Sequence, residues 1–349
     1  MEPLSIADLA PELSSLEVAL LLSLGAHEHC LIETTEDAIN DVAKELALIS
    51  SNTFDLSYTI LNCSPATSLD SFYKEILDTR SHPPLTPPPT DSLIDLSRFQ
   101  TAQESINRNG SSDQTTLNVV IAKNFNHVND YIQLQTLELI RSRKLTTQSI
   151  SLTTPEQFLF ISVVARNSDQ LHPRLNPHLN DHLFISHFHD PNDGFAYLEE
   201  GNDWLSDGQS GSSIVHKKKY PKVNAEALAS FSNETKSINI NAEVSRYIQD
   251  IVMFLRLNRA VAGGITSKAN GHFQKFSRLL APLHGLDFLT PSLVKLAARK
   301  VFRHRIILAK PEDDRSLQYG SDIKAVARVL KHVTPDSILD EVLELEVPL

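Results

Sequence analysis

The side chains able to carry chemistry gather in a few places along this chain. The densest is HPRLNPHLNDHLFISHFHD, which holds His172, His178, His182, His187 and His189. Imidazoles are common ligands of zinc, and on a strand His187 and His189 project to one face. Their spacing matches no closed metal site, so clustered loop or surface histidines with no bound metal are the expectation. A second group is the turn ETTEDA, where Glu33, Thr34, Thr35, Glu36 and Asp37 follow an apolar run; acidic side chains suit the positive end of a helix. Two basic groups, HKKKYPK (His216 to Lys222) and Arg299, Lys300, Arg303, His304 and Arg305, are of the kind that contacts phosphate or nucleic acid. For the first a solvated charge run is the simpler reading, and half of the second should face water. Cys30 and Cys63 sit in apolar runs and are expected as buried small hydrophobes. No Gly-x-Ser-x-Gly, catalytic carboxylate pair or Ser/His/Asp arrangement stands out.

Composition bounds the setting of these residues. The chain has 349 residues, 41% hydrophobic and 21% charged, which suits two globular units at roughly 100–200 residues per domain. Two cysteines cannot build a disulfide framework, so a reducing intracellular compartment, cytoplasm or nucleus, is expected. The start lacks a basic region, and VALLLSLGA is far short of the ~20 residues needed to cross a bilayer. A formal charge of −11 disfavours broad attraction to nucleic acid or anionic lipid. Protein partners are the expectation.

Apolar runs alternating with periodic stretches position the candidate residues. LEVALLLSL reads as a helix, HCLIET as a strand, and AINDVAKELALIS as a helix whose Ile39, Val42, Leu46 and Leu48 share a face. YTILNCS, LNVVIA and FLFISVVA read as further strands, with SLDSFYKEIL, capped by Ser68, and DYIQLQTLELIRSRKL as helices between them. Four strands interleaved with helices predict an α/β core with a parallel sheet. The expected organisation is a core over 1–189 with a proline-rich loop at 81–115, a long loop or partly disordered insert at 190–237, a helical domain over 238–331 and an acidic tail at 332–349. VSRYIQDIVMFLRLNRAV, HFQKFSRLLAPLHG, PSLVKLAARKVFRHRIIL and SDIKAVARVLKHV read as the helices of that second domain.

In this order the chain resembles the AAA+ ATPases of the magnesium chelatase small-subunit and MoxR group, an AAA+-like three-layer core followed by a helical lid. Gly285, Asp287, Thr290, Pro291, Val294, Arg303, His304 and Arg305 carry the resemblance best. LQYGSD (Leu317 to Asp322) extends it to a fungal branch associated with telomere capping. The resemblance implies ATP and Mg²⁺ as cofactors, and each motor position departs from what they need. At the P-loop, Thr34, Thr35, Glu36 and Asp37 supply neither glycine nor lysine, and like charges ~4 Å apart repel by on the order of 4 kcal/mol at an effective dielectric of 20. At the Walker B position stand Ala122 and Lys123, which can neither hold a metal nor act as a base. Arg166 and Asn167 fall near the first sensor, His172 and Arg174 near the arginine finger, and Ser267 and Lys268 at the second sensor.

These departures imply an AAA+-derived protein that has lost ATP hydrolysis, binds no cofactor, and acts as an interaction or assembly module in a homo- or hetero-oligomer. The resemblance adds a link to telomere maintenance. An alternative is an active magnesium-chelatase-type ATPase with phosphate held by Lys123, Lys268 or the basic insert. A third is a nucleic-acid adaptor using residues 216–222 and 299–305.

Overall fold

The computed structural model describes residues 6–77, 113–146, 151–166, 175–198 and 221–344. The prolines of the 81–92 run, Asn167, His172, Arg174 and the lysines at 217–219 lie outside these residues.

The apolar runs form β1 (His29–Thr34), β2 (Tyr58–Asn62), β3 (Val119–Lys123), β4 (Leu159–Ala165) and β5 (Leu183–Phe188). All five pair in parallel, in the order β2-β3-β4-β1-β5. A strand covered on both faces requires no polar alternation, and every residue of β1 is buried. The fifth strand, LFISHF, was hidden from the sequence count inside the histidine-rich segment. The last three residues of the expected proline-rich loop also pair, Asp113–Thr115 running parallel to Ser151–Thr153.

One face of the sheet carries α3 (Leu69–Ile76) and α4 (Asp130–Ser142), which pack Phe72, Ile76, Ile132 and Leu139 onto Val120, Phe125 and Phe160. Ser68 caps α3, its side chain accepting from Ser71 N at 3.2 Å. The other face carries α1 (Ser15–Ala26) and α2 (Ile39–Asn52). The buried stripe of α2 runs Ile39, Val42, Leu46, Ile49; Leu48 is half-buried, because a 3.6-residue turn brings position 49 under 42 and 46. Helix α1 is apolar on every side because it is enclosed by β1, β5 and two helices of the second domain. Its Glu17 closes a capping box with Ser14 and also accepts from Thr53 Oγ1 and Tyr197 OH, both at 2.8 Å, so the buried carboxylate is satisfied.

The remaining chain forms α5 (Ala225–Ser237), α6 (Ala242–Leu257), α7 (Ser267–Leu283), α8 (Pro291–Phe302), α9 (Ile323–Leu330) and α10 (Pro335–Leu343). Two expectations are corrected here. The segment 190–237 is not one loose insert, since Tyr197 is buried and the whole of α5 is helical. Phe231 of α5 packs on Gly25 of α1 so closely that an added Cβ would lie 2.7 Å from the ring. The acidic tail is likewise ordered in part: Thr334 caps α10, Pro335 opens it, and Ile338, Leu339, Val342 and Leu343 are buried against α6 and α8. The alternation of charged and apolar residues there is an amphipathic helix, with Asp340, Glu341 and Glu344 on its exposed face. Stretch 303–308 leaves the helical path expected for it: α8 stops at Phe302 and Ile307–Leu308 pairs antiparallel with Val261–Gly263.

The packing of α10 is checked by Leu339→Ala. A fully buried leucine truncated to alanine costs roughly 2–5 kcal/mol, read as a lowered urea midpoint of the full chain. A loosely attached tail would give an unchanged midpoint.

Candidate functional site

In an open parallel sheet the crevice for ligands lies at the carboxyl ends of the strands, where the chain order reverses. That point falls at β1, whose neighbours are β4 and β5. The connection from β1 to α2 is a four-residue turn, Thr35 to Ala38. Ala38 N donates to Thr35 O at 3.1 Å, no side chain caps the helix, and none of these residues has a positive φ. A phosphate cradle needs glycines and a concave ring of N–H groups, neither of which this turn supplies. Thr34 is fully buried and donates through Oγ1 to His189 O at 3.0 Å, Thr35 is half-buried, and Glu36 and Asp37 are exposed. Ala122 is fully buried at the end of β3. Lys123 donates to Asn40 Oδ1 at 2.8 Å, which ties β3 to the first turn of α2.

The centre of this edge is an ion-pair network. Glu33, 3% exposed on β1, accepts from Arg303 Nη1 at 2.5 Å. The same guanidinium donates through Nε to Asp336 Oδ1 at 2.9 Å, and Asp336 receives Arg166 Nη2 at 3.2 Å. Burial works against the charge on Arg303, yet Glu33 and Asp336 together raise its pKa. Arg166 is anchored twice more, its backbone N donating to Thr34 O at 2.8 Å and its guanidinium lying 5.0 Å from the centre of the Phe188 ring. Four alternating charges thereby join β1, the end of β4, the end of α8 and the start of α10.

The other lid residues serve as architecture. Gly285, at φ +66°, ends α7, with Leu286 N donating to Ala281 O at 2.9 Å. Asp287 O accepts from Asn239 N at 3.0 Å, and Thr290 with Pro291 opens α8. His304 and Arg305 are buried at the opposite end of β5: His304 Nε2 bonds Leu183 O at 3.1 Å, and Arg305 donates to Phe184 O at 3.3 Å and to His272 Nδ1 at 2.7 Å. The expected split of the basic cluster 299–305 is therefore wrong in detail. Arg303 to Arg305 turn inward and Arg299 pairs with Asp340 at 2.5 Å, so these residues present no open basic face.

Lys268 is also placed differently. It opens α7 beside Asp181 and His182, where Thr266 Oγ1 donates to Asp181 Oδ1 at 2.7 Å, and its charge helps to lower the pKa of His29, the first residue of β1. That is the end of the sheet remote from Thr35. The histidines disperse too, with His182 Nδ1 on His178 O at 2.9 Å and His187 and His189 at the far end of β5. Among the described residues no three His, Cys, Asp or Glu side chains converge as metal ligands. At the carboxyl end of the sheet the turn from Thr35 to Ala38 is closed by its own backbone bond, Ala122 offers no side-chain oxygen, and the carboxylate of Glu33 is taken by Arg303. Sequence reasoning passed over Asp336, whose signal was the Thr-Pro helix start just before it.

Comparison with known proteins agrees with this architecture. An AAA lid domain model matches residues 253–329. A crystal structure of a candidate ATPase from Cytophaga hutchinsonii superposes with a TM-score of 0.61 over 95% of this chain and 89% of that one, at 13% identity. The fold is AAA+-like. Maintenance of telomere capping protein 2 of Lachancea thermotolerans is 30% identical over 131 residues, 36% of this chain and 46% of that protein. The protein of that name from Saccharomyces cerevisiae strain YJM789 is 35% identical over 125 residues, 34% of this chain and 35% of its own length. The match thus spans less than half the length of these relatives.

Removing one partner of a buried pair costs roughly 3–5 kcal/mol, whereas an apolar replacement of both is close to neutral. Glu33→Gln and Arg303→Met should each lower the urea midpoint, and Glu33→Leu with Arg303→Met should restore most of it; two additive losses would contradict a shared buried pair. A second expectation concerns acid. Burial pushes His29 and His187 down to about 3 and His272 to about 2, from 6.5. The unfolded chain therefore takes up protons that the folded one refuses. This stability is whole above 6.5 and is lost as pH falls from there toward 3. The midpoint should drop between neutral pH and about pH 5, with proton uptake on unfolding in calorimetry; equal midpoints would refute it.

Proposed function

We propose that this chain is an AAA+-derived protein that has given up nucleotide turnover and acts as a protein-interaction module linked to telomere maintenance. The observation that carries the proposal is the Glu33 to Arg303 pair at the end of β1. It sets an internal salt bridge beside a closed turn, at the place where an AAA+ motor would expose N–H groups and a lysine to phosphate. Asn167 and His172 belong to the same proposed degenerate site.

The lid supports a closer affinity with the magnesium chelatase small-subunit and MoxR group, through Gly285, Asp287, Pro291 and the Arg303 to Arg305 run. Metal insertion is not part of the proposal, since in that group it requires an ATP-driven ring. The names of the relatives supply the telomere link, and with it the nucleus as the place of work. A protein partner is favoured by α6, which exposes Met253, Phe254 and Leu257 at 51%, 41% and 69%; apolar side chains gathered on one helix face suit a docking surface.

Thermal shift with millimolar Mg-ATP, run beside a phosphate-release assay, tests the loss of the motor. A ligand at a hundred times its dissociation constant stabilises by about 2.7 kcal/mol, a shift of several degrees. The expected result is an unchanged melting temperature and no release. Stabilisation by a non-hydrolysable analogue, or steady phosphate release from the purified chain, would overturn the proposal.

A further inference from the structure

Apart from the ion-pair edge, the structure contains a cavity of about 580 Å³ between α1, β5, α7 and α8, bounded on its outer side by Ala7, Ala10 and Pro11 of the N-terminal turns. Its size falls within the ~300–1,000 Å³ of small-molecule sites. Its walls are apolar, formed chiefly by Val18, Leu22, Phe276, Leu280 and Leu296. Leu296 is 41% exposed, so the cavity reaches solvent at that rim.

Two polar groups of the lining differ in kind from the rest. Lys300 of α8 donates through Nζ to His187 Nδ1 of β5 at 2.8 Å. Because Nδ1 accepts, the neutral ring carries its proton on Nε2, and that atom is buried without a partner. Burial and the neighbouring Lys300 charge both hold His187 in this neutral form. Lys300 itself makes no ion pair among the described residues, and nearby Glu33 is already bound to Arg303. Burial, and after it the charge of Arg303, lowers the pKa of Lys300, which is the signature of a cation short of a counter-ion. A half-buried ammonium at the wall of an apolar chamber is the complement of an anionic head with an apolar body.

We propose that this cavity binds a hydrophobic carboxylate of the fatty-acid class, with its head on Lys300 Nζ and its chain along Val18, Leu22, Phe276 and Leu280. A neutral lipid would leave the cation unpaired. A nucleotide triphosphate would bring several charges to a site with one cation and apolar walls, so it is disfavoured.

The test is isothermal titration of the full chain with sodium dodecanoate below its micelle-forming concentration, with dodecanol and ATP as comparison ligands. Saturable one-to-one binding of dodecanoate is expected. Lys300→Met, which keeps the bulk and removes the charge, should weaken it by about tenfold or more, the scale of one lost charged contact. Val18→Phe, which fills the chamber from α1, should abolish it; both variants should keep the parent's far-UV circular dichroism. Absence of dodecanoate binding would overturn the proposal, as would equal binding by parent and both folded variants, equal affinity for dodecanol, or displacement of dodecanoate by ATP.

Discussion

A carboxylate withdrawn from water at the end of a buried strand requires a cation, and for Glu33 that cation is Arg303. The cost of stripping water from both groups is recovered only with good geometry and further hydrogen bonds, so Arg303 must be held at a defined place. The end of α8 holds it on one side and Asp336 on the other. Asp336 stands in the first turn of α10, and α10 stays in place because Ile338, Leu339, Val342 and Leu343 are buried against α6 and α8. One buried charge therefore fixes the relation between the sheet, the second domain and the last helix.

The same constraint separates architecture from chemistry. Parallel strands in the order β2-β3-β4-β1-β5 stabilise themselves by burying apolar surface whether or not a ligand sits at their carboxyl ends. In this chain the edge is filled by the protein's own side chains: Arg166 lies over Phe188, Lys123 holds Asn40, and Thr34 bonds the chain at His189. An apolar cavity of about 580 Å³ lies instead on the side of the sheet where α1 and the lid meet.

Much of this was legible beforehand. Unbroken apolar runs such as HCLIET and FLFISVVA announced buried parallel strands, and Ser68, Thr290 and Pro291 announced helix starts by chemistry that acts within one turn. The departures at Glu36, Asp37, Ala122 and Lys123 were likewise visible, because a missing glycine or carboxylate is a property of residue type. The strand LFISHF was overlooked because its histidines drew attention to metal chemistry, and α10 because its net acidity masked the spacing of its apolar residues. In both cases the periodicity was present and composition outweighed it.

Pairings across large sequence separations could not be reached in that way. Nothing in a one-dimensional pattern says that Arg303 meets Glu33 while Arg305, two residues later, turns to the start of β5, or that Lys300 donates to His187 Nδ1. Their partners are chosen by where α8 ends and how it lies on β5, which depends on the packing of many side chains at once. The sequence by itself determined the parallel α/β core, the helical second domain and the residue types that stand at the ends of β1 and β3, since these rest on local periodicity and side-chain chemistry. Tertiary structure alone decided which charges neutralise each other, which cation is left without a counter-ion and where a cavity opens, since burial and proximity are collective properties of the packed chain.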